Sequence, residues 1–181
     1  FRGVSQQVEL RACPNVKGMV VHEPCDLQEF PKVHYWRQPV PTPIGRGNAA
    51  RVPSSFVNLP WRPTLGTLGF DFPWKNYDLL AEVTADGGWN LRIVGNVSLE
   101  RQATLRAKNY RTWFDGYLDV PATVATLSSC DATAFLYNCA NSGTSGAIRA
   151  GISASRPLIA TKGCRQFRDL LHVELHEEGR H

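Results

Sequence analysis

A chain of 181 residues can hold one good-sized domain, or one domain and part of another. Its apolar share of 43% and charged share of 20% are ordinary for a globular protein. The net charge of +4 comes without any dense Lys/Arg run, which argues against a nucleic-acid tract, and no apolar run approaches the ~20 residues of a membrane helix. The five cysteines (Cys13, Cys25, Cys130, Cys139 and Cys164) are odd in number and form no C-x-x-C pair. This favours neither zinc nor a disulfide framework, and reduced, mostly buried thiols in a cytoplasmic protein are expected. The N-terminus does not read as a signal peptide, and Phe1 in place of Met reads as a trimmed chain or fragment.

In chain order, residues 1–17 are mixed, Gly18 to His22 is a short β-like run, and Val33 to Trp36 is another. His22 and His34 have no Cys or carboxylate at ligand spacing, so loop or edge-strand histidines are the better reading than a metal site. Prolines 39, 41, 43, 53, 60 and 63 forbid helix and make 39–63 an extended connector between domains. Regular alternation then begins. Thr64 to Phe70 reads as a strand. Asp71 is placed to cap a helix with Pro73 in its first turn, which carries Tyr77, Leu79, Leu80 and Val83 to about Asp86 and is stopped by Gly87 and Gly88. Trp89 to Val94 is a strand ending at Gly95. Ser98 to Lys108 is a polar helix with Leu99 and Leu105 inward. Thr112 to Phe114 is a short strand, Pro121 to Ser129 a helix with Val124 and Leu127 inward, and Ala132 to Tyr137 a buried strand. A loop with Gly143, Ser145 and Gly146 leads into the helix AIRAGISA. Pro157 to Ala160 is the next strand, and a helix near Arg165–Leu170 precedes a last run, Leu171 to Leu175.

Strand and helix alternate with short loops, so the fold class is α/β: a Rossmann-like parallel sheet with helices on both faces. Right-handed crossovers place the loops Gly69–Lys75, Gly95–Ser98 and Asn138–Gly146 along one sheet edge, where ligands of such sheets bind. The strand, Gly-rich loop and helix over Ala132–Ala154 aim backbone N–H groups at one point, which suits phosphate. Gly143 and Gly146 let a diphosphate approach the main chain closely.

Two stretches carry a more specific resemblance. One is Gly66 to Gly95, containing LGFDFPWKNYDLLAEVTADGGWNLRIVG. The other is Cys130 to Leu170, with CDATAFLYN, GTSGAIRAGISASRPLIAT and FRDL, and WFDGYLDVPATVATLSSCD lies between them. Together they resemble the C-terminal, donor-binding domain of GT-B glycosyltransferases, specifically the retaining family four, over residues 64–170. The resemblance implies that 1–38 are a remnant of an N-terminal acceptor domain otherwise missing, that 39–63 are the hinge, and that 64–181 form the nucleotide-sugar-binding domain. It implies a partner, a nucleoside-diphosphate sugar, and neither a cofactor nor a metal, with a cytoplasmic location that includes peripheral attachment to a membrane.

By the same resemblance Lys75, six residues after Gly69, is the catalytic cation on the donor β-phosphate. Its ammonium would neutralise charge on the departing diphosphate; the plain alternative is an exposed helix lysine. Ser142, Gly143, Thr144, Ser145 and Gly146 would cradle phosphate and sugar, and Asn96 and Tyr117 would border the base, Tyr117 by stacking or by packing. The chain departs from the family in having Phe70 where an arginine is usual, and Ser142 and Ala150 where two glutamates are usual. A subset with a G-x-S-G loop shares the latter feature. The implied function is donor binding for glycosyl transfer to an acceptor hydroxyl, with this chain binding but not turning over by itself. The alternative is a non-catalytic glycosyltransferase-like module serving as a partner subunit or nucleotide sensor. A generic dinucleotide-binding domain is excluded because no G-x-G-x-x-G follows the first strand.

Overall fold

The computed structural model describes residues 19–21, 33–35, 60–138, 145–162 and 164. The chain divides into two compact units, Phe1–Gln38 with Arg168–His181 and Pro39–Phe167. In the first, β1 (Met19–Val21) pairs in parallel with β2 (Val33–Tyr35), Met19 opposite Val33. The readings of Arg165–Leu170 and Leu171–Leu175 lie outside the described residues.

The second unit holds a five-stranded sheet of order β5-β4-β3-β6-β7, parallel throughout. The strands are β3 (Thr64–Leu68), β4 (Asn90–Val94), β5 (Thr112–Gly116), β6 (Ala132–Phe135) and β7 (Leu158–Ala160). The helices between them are α1 (Tyr77–Asp86), α2 (Leu99–Lys108), α3 (Val120–Ser128) and α4 (Gly146–Ser153). This is the Rossmann-like α/β fold that the alternation predicts. The chain runs outward from β3 through β4 to β5, then returns to the other side of β3 for β6. The crevice between the β3 and β6 loops is therefore the topological switch point.

Alternating side chains of each strand face opposite helix layers. Leu65, Leu91, Ile93 and Ala134 pack with Tyr77, Leu80, Ala81 and Leu105 of α1 and α2. Val94 and Leu68 pack with Val124, Leu127, Ala150 and Ala154 in and beside α3 and α4. A fully buried leucine or isoleucine contributes about 1.5–3 kcal/mol before the ordering cost, so these two layers are the bulk of the driving force. Close approach of helices to sheet relies on missing side chains. A Cβ on Gly66 would lie 2.8 Å from Cys130 Sγ, and one on Gly151 would lie 2.5 Å from the Phe135 ring.

Two expectations are corrected, the Asp71 cap and the inward Leu99. Asp71 does not cap a helix: a 3-10 turn at Pro73–Lys75 intervenes, Asn76 adopts a left-handed conformation (φ 56°), and α1 starts at Tyr77. Asp71 instead pairs with Arg101 at 3.0 Å. Leu79 and Val83 are exposed, and the face of α1 turned to the sheet is Tyr77, Leu80, Ala81 and Thr84, spaced i, i+3, i+4, i+7. Leu99 is 83% exposed, leaving Leu105 as the buried position of α2. Caps that the sequence does supply are Ser98, accepting from the Arg101 N–H, and Asp119, accepting from the Ala122 N–H at 2.8 Å.

One buried pair does not follow from hydrophobic patterning. Arg92, in the middle of β4, makes a two-pronged contact with Asp115 of β5 (2.8 and 2.9 Å), and its third nitrogen donates to Ser129 Oγ at 2.9 Å. Both side chains are nearly fully enclosed, and the guanidinium lies over the Trp113 ring. Removing one partner of such a pair strands a charge, whereas replacing both with apolar groups does not. Arg92→Met is therefore expected to cost about 3–5 kcal/mol in urea unfolding, and Arg92→Met with Asp115→Leu to recover most of that loss.

Candidate functional site

The switch-point crevice is organised by Lys75. Its local sequence explains its position: Pro73 fixes the first turn, the left-handed Asn76 ends it, and the side chain of the residue between points back beneath the end of β3. Lys75 is buried, 8% exposed, which overturns the exposed-lysine alternative. Its Nζ donates to the Leu68 carbonyl (3.1 Å) and to Tyr137 Oη (3.1 Å), and lies 5.1 Å from the Tyr137 ring centre. Burial lowers its pKa from 10.5 to about 8. The same burial pushes the Tyr137 phenol up to about 12, so that hydroxyl is protonated at neutral pH.

Gly69 makes this arrangement possible. With φ at +134°, its backbone turns over the ammonium, and a Cβ there would sit 1.9 Å from Nζ. The loop is fastened at three points: Gly69 N–H to Val94 O (2.8 Å), Tyr77 Oη to Gly69 O (2.9 Å), and Asn138 N–H to Trp74 O (2.8 Å). Gly95 presses against the same turn, since a Cβ on it would lie 2.2 Å from Gly69 O.

On the other wall, Ser145 precedes α4 without capping it; its Oγ instead shares a 3.2 Å hydrogen bond with Tyr137 Oη. Lys75, Tyr137 and Ser145 thus form a connected set from the β3 turn to the α4 N-terminus. Gly146 begins that helix and is exposed, and the free N–H groups of a helix start favour anions. Of the predicted site residues, Gly69, Lys75, Ser145 and Gly146 are brought to this crevice. Asn96 and Tyr117 lie on the same edge after β4 and β5, both exposed, Tyr117 at 74%. Ser142, Gly143 and Thr144 lie outside the described residues.

Tyr137 and Tyr77 were absent from the sequence-based site. Each reads as the apolar end of an element, and the only signal was a hydroxyl at a position that packing alone would fill with Phe. Along the outer side, Asp71 of the loop pairs with Arg101, which also holds Asp78. Lys108 bridges Asp78 (3.3 Å) and Glu82. Hydrogen bonding from Arg101 keeps the Asp78 carboxyl below its ordinary pKa, against the opposing effect of burial.

Gly69→Ala is expected to expel the Lys75 ammonium from its seat. A lysine-selective NMR titration of the wild type gives a midpoint near the lowered value of about 8. The variant titrates near the ordinary lysine value of 10.5 and loses about 1–3 kcal/mol of stability from the forced φ.

No protein-family model matches the chain. No curated protein matches it in sequence. Solved structures do match in fold. HepE from Anabaena, solved in complex with UDP and glucose, aligns with a TM-score of 0.59 at 16% identity, over 90% of this chain and 50% of that one. HepE in complex with UDP aligns at 0.57 and 15% identity, over 86% and 49%. AviGT4, a glycosyltransferase involved in avilamycin A biosynthesis, aligns at 0.49 and 14% identity, over 75% and 42%. The chain spans about half the length of the structures it matches. The likeness is one of fold: the Rossmann-like α/β architecture of this chain aligns with about half of the HepE structure.

Proposed function

We propose that this chain is the donor-binding half of a GT-B glycosyltransferase of the retaining, family-four-like type. It would hold a nucleoside-diphosphate sugar for transfer of the hexose to an acceptor hydroxyl. The observation that carries the reading is the Lys75–Tyr137–Ser145 set at the topological switch point, beside the α4 N-terminus. An ammonium has three donors, and Leu68 O and Tyr137 Oη take two of them here. The third is assigned to the donor β-phosphate. The positive charge beneath Gly69 and the α4 N-terminus would stabilise the diphosphate as the glycosidic bond breaks. The fold likeness to HepE, solved with UDP and glucose, supports uridine as the first base to test. Asn96 and Tyr117 are assigned to the base side, and Ser142, Gly143 and Thr144 to the diphosphate and sugar. No cofactor or metal enters this chemistry, and acceptor recognition belongs to a GT-B N-terminal domain.

A second reading has its own observation. Phe70 is 55% exposed at the position where the resemblance calls for an arginine, and Ala150 is buried in α4 where it calls for a carboxylate. These replacements favour a module that binds a nucleotide sugar without transferring the sugar. Release of UDP from UDP-glucose separates the readings: an enzyme produces it with an acceptor present, a sensor or partner subunit does not.

The sign of the pH effect on binding follows from Lys75. A phosphate dianion beside it favours the ammonium, so binding raises a pKa that burial has lowered to about 8. UDP affinity is then expected to fall as pH rises through 8, with proton uptake on binding. Lys75→Met should weaken UDP binding by about 10–100-fold and flatten the pH dependence. Calorimetry at several pH values checks both. Equal affinity and equal pH slope in the variant would refute the assignment of Lys75.

A further inference from the structure

A second cluster of cations lies at the opposite, N-terminal edge of the sheet. A cavity of about 240 Å³ opens there, between the segments entering β3, β4 and β5. Among the described residues, Arg62, Lys108 and Arg111 line it, together with Trp89, Asn109 and Tyr110, and no carboxylate does. Among the described residues, neither Arg62 nor Arg111 forms an ion pair. Arg111 is nonetheless held in place. Its Nε donates to Tyr110 Oη (3.0 Å), a second nitrogen reaches Asn90 Oδ1 (3.4 Å), and its guanidinium lies 5.3 Å from the Tyr110 ring centre. The floor is rigid: Asn109 is buried, and its amide donates to Thr84 Oγ1 (2.8 Å) and Trp89 O (3.1 Å).

The C-termini of α1 and α2 point toward this cavity, and their partial negative charge opposes an anion. That opposition is blunted chiefly at α1, because three of its last carbonyls and one of those of α2 are already taken. Val83 O accepts from Gly87 N–H, Thr84 O from Trp89 N–H, Ala85 O from Gly88 N–H and Leu105 O from Asn109 N–H. Lys108 is partly neutralised by Asp78 and Glu82, which leaves the two arginines as the main attraction. Two guanidiniums at one cavity suit a dianion better than a single carboxylate, and a guanidinium fork matches phosphate oxygens. The volume is below the ~300–1,000 Å³ of cofactor-sized pockets, which fits a monosaccharide-sized ligand better than a nucleotide. Trp89, about one-third exposed, offers a face to a sugar ring.

We infer that this cavity binds a phosphomonoester of monosaccharide size, its phosphate on Arg62 and Arg111 and its ring against Trp89. The site is separate from the switch-point crevice and stands whether or not the donor reading does. The test is an amide NMR titration of the full chain with a hexose 6-phosphate, with inorganic phosphate and the neutral hexose as comparison probes. Saturable shifts confined to residues 85–89 and 108–111 are expected, with binding at least about tenfold weaker in both Arg62→Gln and Arg111→Gln. Arg62 is exposed and Arg111 half-buried outside the core, so both variants should stay folded with melting temperatures close to the wild type. Shifts centred on Lys75 and Ser145, undiminished binding in Arg111→Gln, or inorganic phosphate binding as tightly as the hexose phosphate would each overturn it. So would the absence of saturable shifts at millimolar concentrations.

Discussion

The architecture of the crevice depends on one buried ammonium. An alkylammonium removed from water must recover its lost hydration from fixed acceptors, and the acceptors available to Lys75 belong to two different elements. Leu68 O ends β3, and Tyr137 Oη follows β6. Satisfying one charge therefore ties together the two loops that the strand order places on either side of the switch point. Gly69 must be a glycine in a positive-φ turn for the charge to fit, and Gly95 must lack a side chain for that turn to seat against β4. The cost of burial reappears as a pKa near 8, close to the pH at which a ligand's charge can act on it.

A second buried cation serves a different end. Arg92 is neutralised by Asp115 on the adjacent strand and packed over Trp113. It joins β4 to β5 and, through Ser129, to the end of α3. The contrast lies in the partner. A carboxylate locks the charge of Arg92 into the scaffold, whereas carbonyl and phenol oxygens leave the positive charge of Lys75 uncancelled and able to attract an anion. Between the two sheet edges, the surface chain Asp71, Arg101, Asp78 and Lys108 links the loop after β3 to the cation-lined cavity. Ion pairs this exposed orient side chains more than they stabilise the fold.

How much was legible in the sequence follows from the range of the forces involved. Strand runs such as NLRIV and ATAF, glycine stops and the helix start at Ser98 act over a few residues. The alternation, the parallel sheet and the loops sharing an edge could therefore be read directly. The start of α1 could not: Asp71 and Pro73 form a plausible helix start, but Asp71 has a distant partner in Arg101, and the chain takes a 3-10 turn first. Leu99 was misassigned because a single leucine at a helix start carries no periodicity. The resemblance to GT-B donor domains pointed to Lys75, Gly69, Ser145 and Gly146 by spacing, and the structure brings those four to one crevice.

The sequence by itself determined the order of elements and the positions where a backbone must bend or lack a side chain, because these are local properties of the chain. Only the tertiary structure decided which polar atoms share a buried space. Tyr137 lies 62 residues from Lys75, and Asp115 lies 23 from Arg92. Nothing in the local pattern distinguishes a tyrosine that fills space from one that receives a buried ammonium. That difference arises when the β3 and β6 loops are brought together and water is excluded from between them.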